Sequence, residues 1–362
     1  MGNDNPPSPQ VASPRLSPHF LSPSARGMRK RLLSISPIEV TTARRRFQVD
    51  CPEKQKRIEA IGSYFLKGYH AALECSDWDQ LFDTLSTEPP DYRGFAYEGA
   101  AMGVALLDRL LPWRTGQYAE FLDSTRNAFP YLSHVGLGWA LARIPGGMQR
   151  YCKTLIAPGS ITTEAASGHS LLACLALDGY GFHQSFFAWE KYVKDKVEPR
   201  FLPSEALPVF RQGIGRSLSF VLGMNSGRIA LAISHFPSSH QADVWSGVGL
   251  ALAYAGGLSG QEVEQLLNHA AANRAALAQG VAFAAKARQR GGYVPEHTLL
   301  VCELVWRQPV ERVAEITDET LYELPLTNML SAYAYWQERI RQRFDGSRGY
   351  TPKNIPSQAS IA

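Results

Sequence analysis

Residues 131–144 read YLSHVGLGWALARI, with Gly136-Leu137-Gly138-Trp139-Ala140 at their centre. The run is apolar and helix-length, and it puts glycine and alanine where a strand would take β-branched residues. The same texture returns in YRGFAYEGAAMGVALLDRL (92–110), GHSLLACLALDGYGFHQSFF (168–187), FRQGIGRSLSF (210–220), WSGVGLALAYAG (245–256) and GVAFAAKAR (280–288). Such segments predict a mainly α fold with little or no β-sheet. Small residues on a helix face either let a second backbone approach closely or leave room for a flat ligand.

The segments also pair along the chain. Glu98-Gly99 matches Gln212-Gly213 at an offset of 114, residues 136–140 match 247–251 at 111, and Phe182 matches Phe283 at 101. This order predicts two similar helical halves around an apolar cavity. The expected organisation is a flexible Pro/Ser-rich and basic extension (1–39), a first half (40–197), a second half (198–342) and a loose tail (343–362).

Composition agrees with a folded chain: 45% of residues are hydrophobic and 19% charged, enough apolar material for a large core. The first 57 residues carry 11 Lys/Arg against Asp4, Glu39, Asp50 and Glu53, whereas the remainder carries 26 against 29 acidic residues. The basic character belongs to one end, which argues against a nucleic-acid partner. Five widely spaced cysteines, none in CxxC, point to a reducing compartment. The longest uncharged run, 244–261, holds a glycine pair and a polar tail, so it reads as a buried helix and not a membrane span.

No standard catalytic signature is present. Gly213-x-Gly215 lacks the third glycine of a dinucleotide fingerprint, and no P-loop, HExxH or GxSxG occurs. Chemistry must come from polar residues set in apolar text. Glu98 lies between Tyr97 and Gly99-Ala100-Ala101-Met102-Gly103, where a carboxylate must be paired, face a cavity or hold its proton. Three roles stand open for it: a buried ion pair with Arg93, Arg143 or Arg216, a ligand contact, or general acid/base catalysis. His134 and His183, on apolar segments, are the other catalytic candidates, with core hydrogen bonding as their plain alternative. His235, His240 and Asp243 have spacings that a non-haem iron site would use. Helix-start chemistry or a polar pocket wall explains the same residues. No cofactor is predicted, with haem and non-haem iron left as alternatives.

Taken together, RRRF (44–47), IEAIGSYFLKGYHAAL (58–73), YRGFAYEGAAMGVALLD (92–108), GWALAR (138–143), DGYGFHQSFF (178–187), GIGRSLSF (213–220) and ADVWSGVGLALAYAGG (242–257) resemble the DUF1702 family over about residues 40–340. Members are known chiefly from enediyne polyketide gene clusters in bacteria. The resemblance implies a cytoplasmic, mostly helical natural-product biosynthesis protein, often dimeric, that binds a hydrophobic polyketide-like molecule; it implies no particular reaction, and tailoring of that molecule is a further expectation. Metal- or haem-dependent oxidative tailoring and a non-catalytic carrier or scaffold are the alternatives. The pocket it implies lies near Phe95, Tyr97, Gly99, Met102 and Gly103, then Gly136, Gly138, Trp139 and Phe182. Gly213, Gly215, Arg216, His240 and Trp245 complete the expected lining.

Overall fold

The computed structural model describes residues 23–110, 116–125, 128–160, 170–325 and 327–347. Among them there is helix and no strand. Seven helices carry the architecture: α1 (Pro52–Glu74), α2 (Pro90–Leu110), α3 (Pro130–Arg143), α4 (Leu175–Phe187), α5 (Leu207–Val221), α6 (Ser238–Ala255) and α7 (Arg274–Arg290). Each packs chiefly on the one before and the one after it. Two further helices, α8 (Val310–Glu319) and α9 (Met329–Ser347), cover α7.

The glycine pairs explain the array. From α2 to α7 each helix carries a small-x-small triplet: Gly99/Ala101, Gly136/Gly138, Gly179/Gly181, Gly213/Gly215, Gly247/Gly249 and Gly280/Ala282. The first small residue meets the preceding helix and the second, through α6, meets the following one. A Cβ on Gly136 would lie 2.1 Å from the Glu98 carbonyl oxygen, and one on Gly213 2.0 Å from that of Asp178. On the other side, a Cβ on Gly138 would lie 2.1 Å from the Ala176 oxygen, and one on Gly215 2.0 Å from that of Val244. Backbone touches backbone at each crossing, a geometry that only the smallest residues permit.

These triplets correct the expectation that the glycines border an open space. The faces of Gly99, Gly136, Gly138, Gly213 and Gly215 are filled by a neighbouring main chain, and that of Gly103 by Ala72 and Tyr69. The offsets of 114, 111 and 101 join helices three places apart along one continuous array. At the 197/198 boundary the array does not break: a Cβ on Gly181 would lie 2.1 Å from the Phe210 oxygen, as close as at other crossings.

The array curls until its ends meet. Arg57 of α1 donates through Nε to the Ala255 carbonyl at the end of α6 (2.6 Å), and Arg288 of α7 reaches Asp91 of α2 (3.2 Å). Residues 23–40, expected to belong to a flexible extension, are largely helical. Pro23–Leu33 lies against α1, where the Tyr69 hydroxyl donates to the Leu33 carbonyl (2.8 Å) and Lys30 pairs with Glu74 (2.9 Å). The expectations for residues 1–22 and 348–362 lie outside the described residues. All five cysteines are free, and Cys174 is buried as a small core residue. Among the described residues no helix is long and apolar enough to cross a membrane.

Candidate functional site

The residue just before each first glycine occupies one register of the array, and four of these form a buried polar row. Gln212 Nε2 donates to Asp178 Oδ2 (2.8 Å), and the Ser246 hydroxyl lies within hydrogen-bond distance of both Gln212 Oε1 (3.0 Å) and Gln279 Oε1 (2.8 Å). Gln337 of α9 donates to Gln212 Oε1 at 2.7 Å. Arg216 caps the row by donating through Nη1 to Asp178 Oδ1. Each of the four side chains thereby gains at least one partner, as a low-dielectric interior favours, while the Gln279 Nε2 stays without one.

Glu98 stands in the same register on α2, but its neighbour in the row is Val135, which has nothing to bond. The row stops there. Glu98 is 2% exposed and its Oε2 is buried without a hydrogen-bond partner. Burial pushes its pKa up to about 7; Arg216 pulls it down and Asp178 pushes it further up. Burial is the main cause, and Arg216 offsets it only in part because Asp178 holds the guanidinium directly.

What lies beyond Glu98 is a pocket whose walls come from five consecutive helices. Phe65 of α1, Phe95 and Met102 of α2, Trp139 of α3, Phe182 and Phe186 of α4, and Phe220 of α5 line it. Trp139 is the hub, with ring centroids 4.8 Å from Phe65, 5.3 Å from Phe182 and 5.7 Å from Phe186. Ile35 and Val40, from the segment preceding α1, supply one wall, and Glu39 and the exposed Arg143 also border it. The space between these walls, counted with the open solvent at its mouth, is about 590 Å³, of which about 40 Å³ admits the centre of a water-sized sphere. The Trp139 indole Nε1 is buried and makes no hydrogen bond.

Of the residues named from the sequence, the structure brings Glu98, Phe95, Met102, Trp139 and Phe182 together at this pocket. His183 abuts it, its ring 5.2 Å from Trp139 and 4.7 Å from Phe187. Burial, with Arg143 adding to it, pushes the His183 pKa down to about 3, so the ring is neutral. Arg216 lies one layer behind, its guanidinium 5.0 Å from the Phe182 ring centroid. The remaining candidates lie elsewhere. Tyr97 faces away and stacks on Phe129 at 4.2 Å. His134 sits 3.3 Å from the Tyr118 hydroxyl, beside a separate polar dent that includes Asp108 and Arg109. Trp245 is buried in the core.

The alternative iron set does not assemble. Asp243 accepts from Arg211 Nε (2.8 Å), His240 approaches Glu198 at 3.9 Å, and His235 is exposed at the end of Ser226–Ser234. Among the described residues no group of three or more His, Cys, Asp or Glu is placed to hold a metal. Sequence reading missed Phe65, Phe186, Phe187 and Phe220, although Phe182/Phe186 and Trp139/Arg143 stand at i, i+4 and share a helix face. It also missed Asp178, the group that occupies Arg216.

A raised carboxyl pKa has a thermodynamic signature. Between 4.5, the ordinary value, and about 7, the folded chain holds a proton at Glu98 that the unfolded chain has lost. Folding stability therefore falls as pH rises through this window, by on the order of 3 kcal/mol, and is flat in this respect above it. Urea midpoints at pH 5 and pH 8 are expected to show the fall in the native protein and a smaller one in Glu98→Gln. Equal falls in both proteins would assign the slope to other groups.

No curated protein and no solved structure matches the chain. Residues 24–344 match a family described as "Protein of unknown function (DUF1702)", and the chain belongs to that family.

Proposed function

We propose that this protein binds an apolar, polyketide-like small molecule in the aromatic pocket and tailors it through proton transfer at Glu98. The observation that carries the reading is a buried carboxyl without a hydrogen-bond partner at Oε2, set in the wall of a pocket whose other lining is aromatic and aliphatic apart from Glu39 and Arg143. Aromatic walls of this kind hold a flat or unsaturated ligand by area and ring contacts. A carboxyl with a pKa of about 7 is divided between its two protonation states near neutral pH, which suits both giving and retaking a proton. The neutral His183 and the Arg216–Asp178 pair fix the electrostatic setting of that proton. Natural-product biosynthesis, a cytoplasmic setting, a homodimer and two similar halves belong to the same reading.

Binding is tested with Nile red, an uncharged apolar dye whose emission rises in apolar surroundings. The native chain is expected to bind it at micromolar concentration and to quench in parallel at Trp139. Ile61 of α1 and Phe187 of α4 also line the pocket; Ile61→Trp fills it and Phe187→Ala opens its wall, and each is expected to weaken binding about tenfold or more. Melting temperatures within a few degrees of native would show that both variants are folded. Unchanged dye affinity in both folded variants would overturn the pocket assignment.

A further inference from the structure

Glu98 and Trp139 border the same pocket, and each ends in a buried polar atom with no partner in the protein, Oε2 and Nε1. An indole N–H only donates, and a protonated carboxyl offers one O–H donor. We propose that the pocket selects its ligand by an uncharged carbonyl oxygen, which accepts hydrogen bonds from the Glu98 carboxyl and the Trp139 indole. This rests on the pocket being the binding site and adds what the ligand must carry there.

The surroundings favour a neutral acceptor over either kind of ion. Facing Glu98 are Arg216 of α5 and Asp178 of α4, already paired with each other, and Tyr254 of α6, which is protonated. Glu39 and Arg143 border the pocket nearer its open side, where Glu39 is engaged by Arg44 and Arg45. A ligand ammonium at the inner end would meet the field of Arg216. A ligand carboxylate there would meet Glu98 and Asp178 with no unengaged cation beside it. A carbonyl oxygen satisfies both orphaned donors and leaves the charge balance as it is. Two donors that share one acceptor discriminate strongly, because a ligand without the oxygen leaves both of them unpaired.

Three probes of one frame separate the outcomes: 2-ethylnaphthalene, 2-acetylnaphthalene and 1-(2-naphthyl)ethylamine, each titrated at pH 6 and pH 8 by displacement of Nile red. At pH 6 the ketone is expected to bind about tenfold or more tightly than the hydrocarbon, with the amine weakest. At pH 8, where Glu98 has largely lost its proton, the ketone advantage is expected to shrink severalfold. Glu98→Gln keeps a donor and is expected to keep the ketone preference at both pH values. Glu98→Leu removes the donor and is expected to bring ketone and hydrocarbon together, while its hydrocarbon affinity shows that the pocket is intact. Trp139→Phe is expected to cut the preference severalfold. Hydrocarbon binding with no ketone preference, or preference for the amine, overturns this inference and leaves the pocket standing. Failure of all three probes to displace the dye, or displacement unaffected by Ile61→Trp, overturns the pocket itself.

Discussion

Gly138→Ala is expected to destabilise the fold by about 3 kcal/mol or more, one of the largest effects available to a single methyl group here. The added Cβ would stand 2.1 Å from the Ala176 oxygen, 2.6 Å from the Tyr180 nitrogen and 2.8 Å from the Gly179 carbonyl carbon. Ordinary overpacking costs about 1–3 kcal/mol because side chains rotate aside. Here the obstacles are main-chain atoms of α4, which is itself held against α5 by Gly181 and Gly213, so relief requires moving more than one crossing. Gly260→Ala is the control: its Cβ would meet only Leu300 and Leu304 side-chain atoms at 3.6–3.8 Å, and a melting temperature at or slightly above native is expected. Denaturant midpoints for the pair decide the matter. A Gly138→Ala protein as stable as Gly260→Ala, with reduced dye affinity, would mean that this face borders ligand after all.

Asp178→Ala is expected to cost about 3–5 kcal/mol, since it strands the buried Arg216 guanidinium and unpairs Gln212 in one step. The informative quantity is the coupling to Glu98. In the native protein Glu98 is surplus and folding raises its pKa, so Glu98→Gln is expected to stabilise the fold at pH 7, by up to about 3 kcal/mol. Once Asp178 is gone, Glu98 is the remaining carboxyl within reach of Arg216; it ionises, and its pKa falls below about 7. In that background Glu98→Gln is expected to become clearly destabilising, and a double-mutant cycle measures the reversal. Strictly additive losses would show that Arg216 and Glu98 do not share charge.

The helical fold was legible because alanine and glycine in apolar runs leave few alternatives. The role of the glycines was not, since an empty helix face and a face pressed on another backbone require the same residue. Only the distance to the next carbonyl separates them. The surplus of Glu98 was legible as a carboxyl in apolar text, but its cause was not: Asp178 lies 80 positions away and Val135 looks like any other core residue. The side of α2 that faces the pocket could have been read from Phe95, Glu98 and Met102 at i, i+3, i+7, which puts Tyr97 on another face. His235, His240 and Asp243 are close in sequence, yet Arg211, 32 positions before Asp243, claims its carboxylate. Contacts made by elements far apart in the chain decided the glycine faces, the surplus of Glu98 and the engagement of Asp243.

The backbone-to-backbone crossings carry a consequence for how the pocket can accommodate molecules of different size. Jaws that open by spreading helices need side chains between them that can compress or slide. The helices around this pocket have no such cushion, because carbonyl oxygens already rest on glycines along the row. Elasticity is therefore confined to ring torsions within a fixed frame, and the accepted shapes change in steps set by individual side chains. Trimming Phe95 or Phe220 would admit a longer or broader molecule without disturbing the frame, whereas drift in helix spacing offers no route to the same end. A lineage with such a frame diversifies its ligands by exchanging rings and keeps its crossings unchanged.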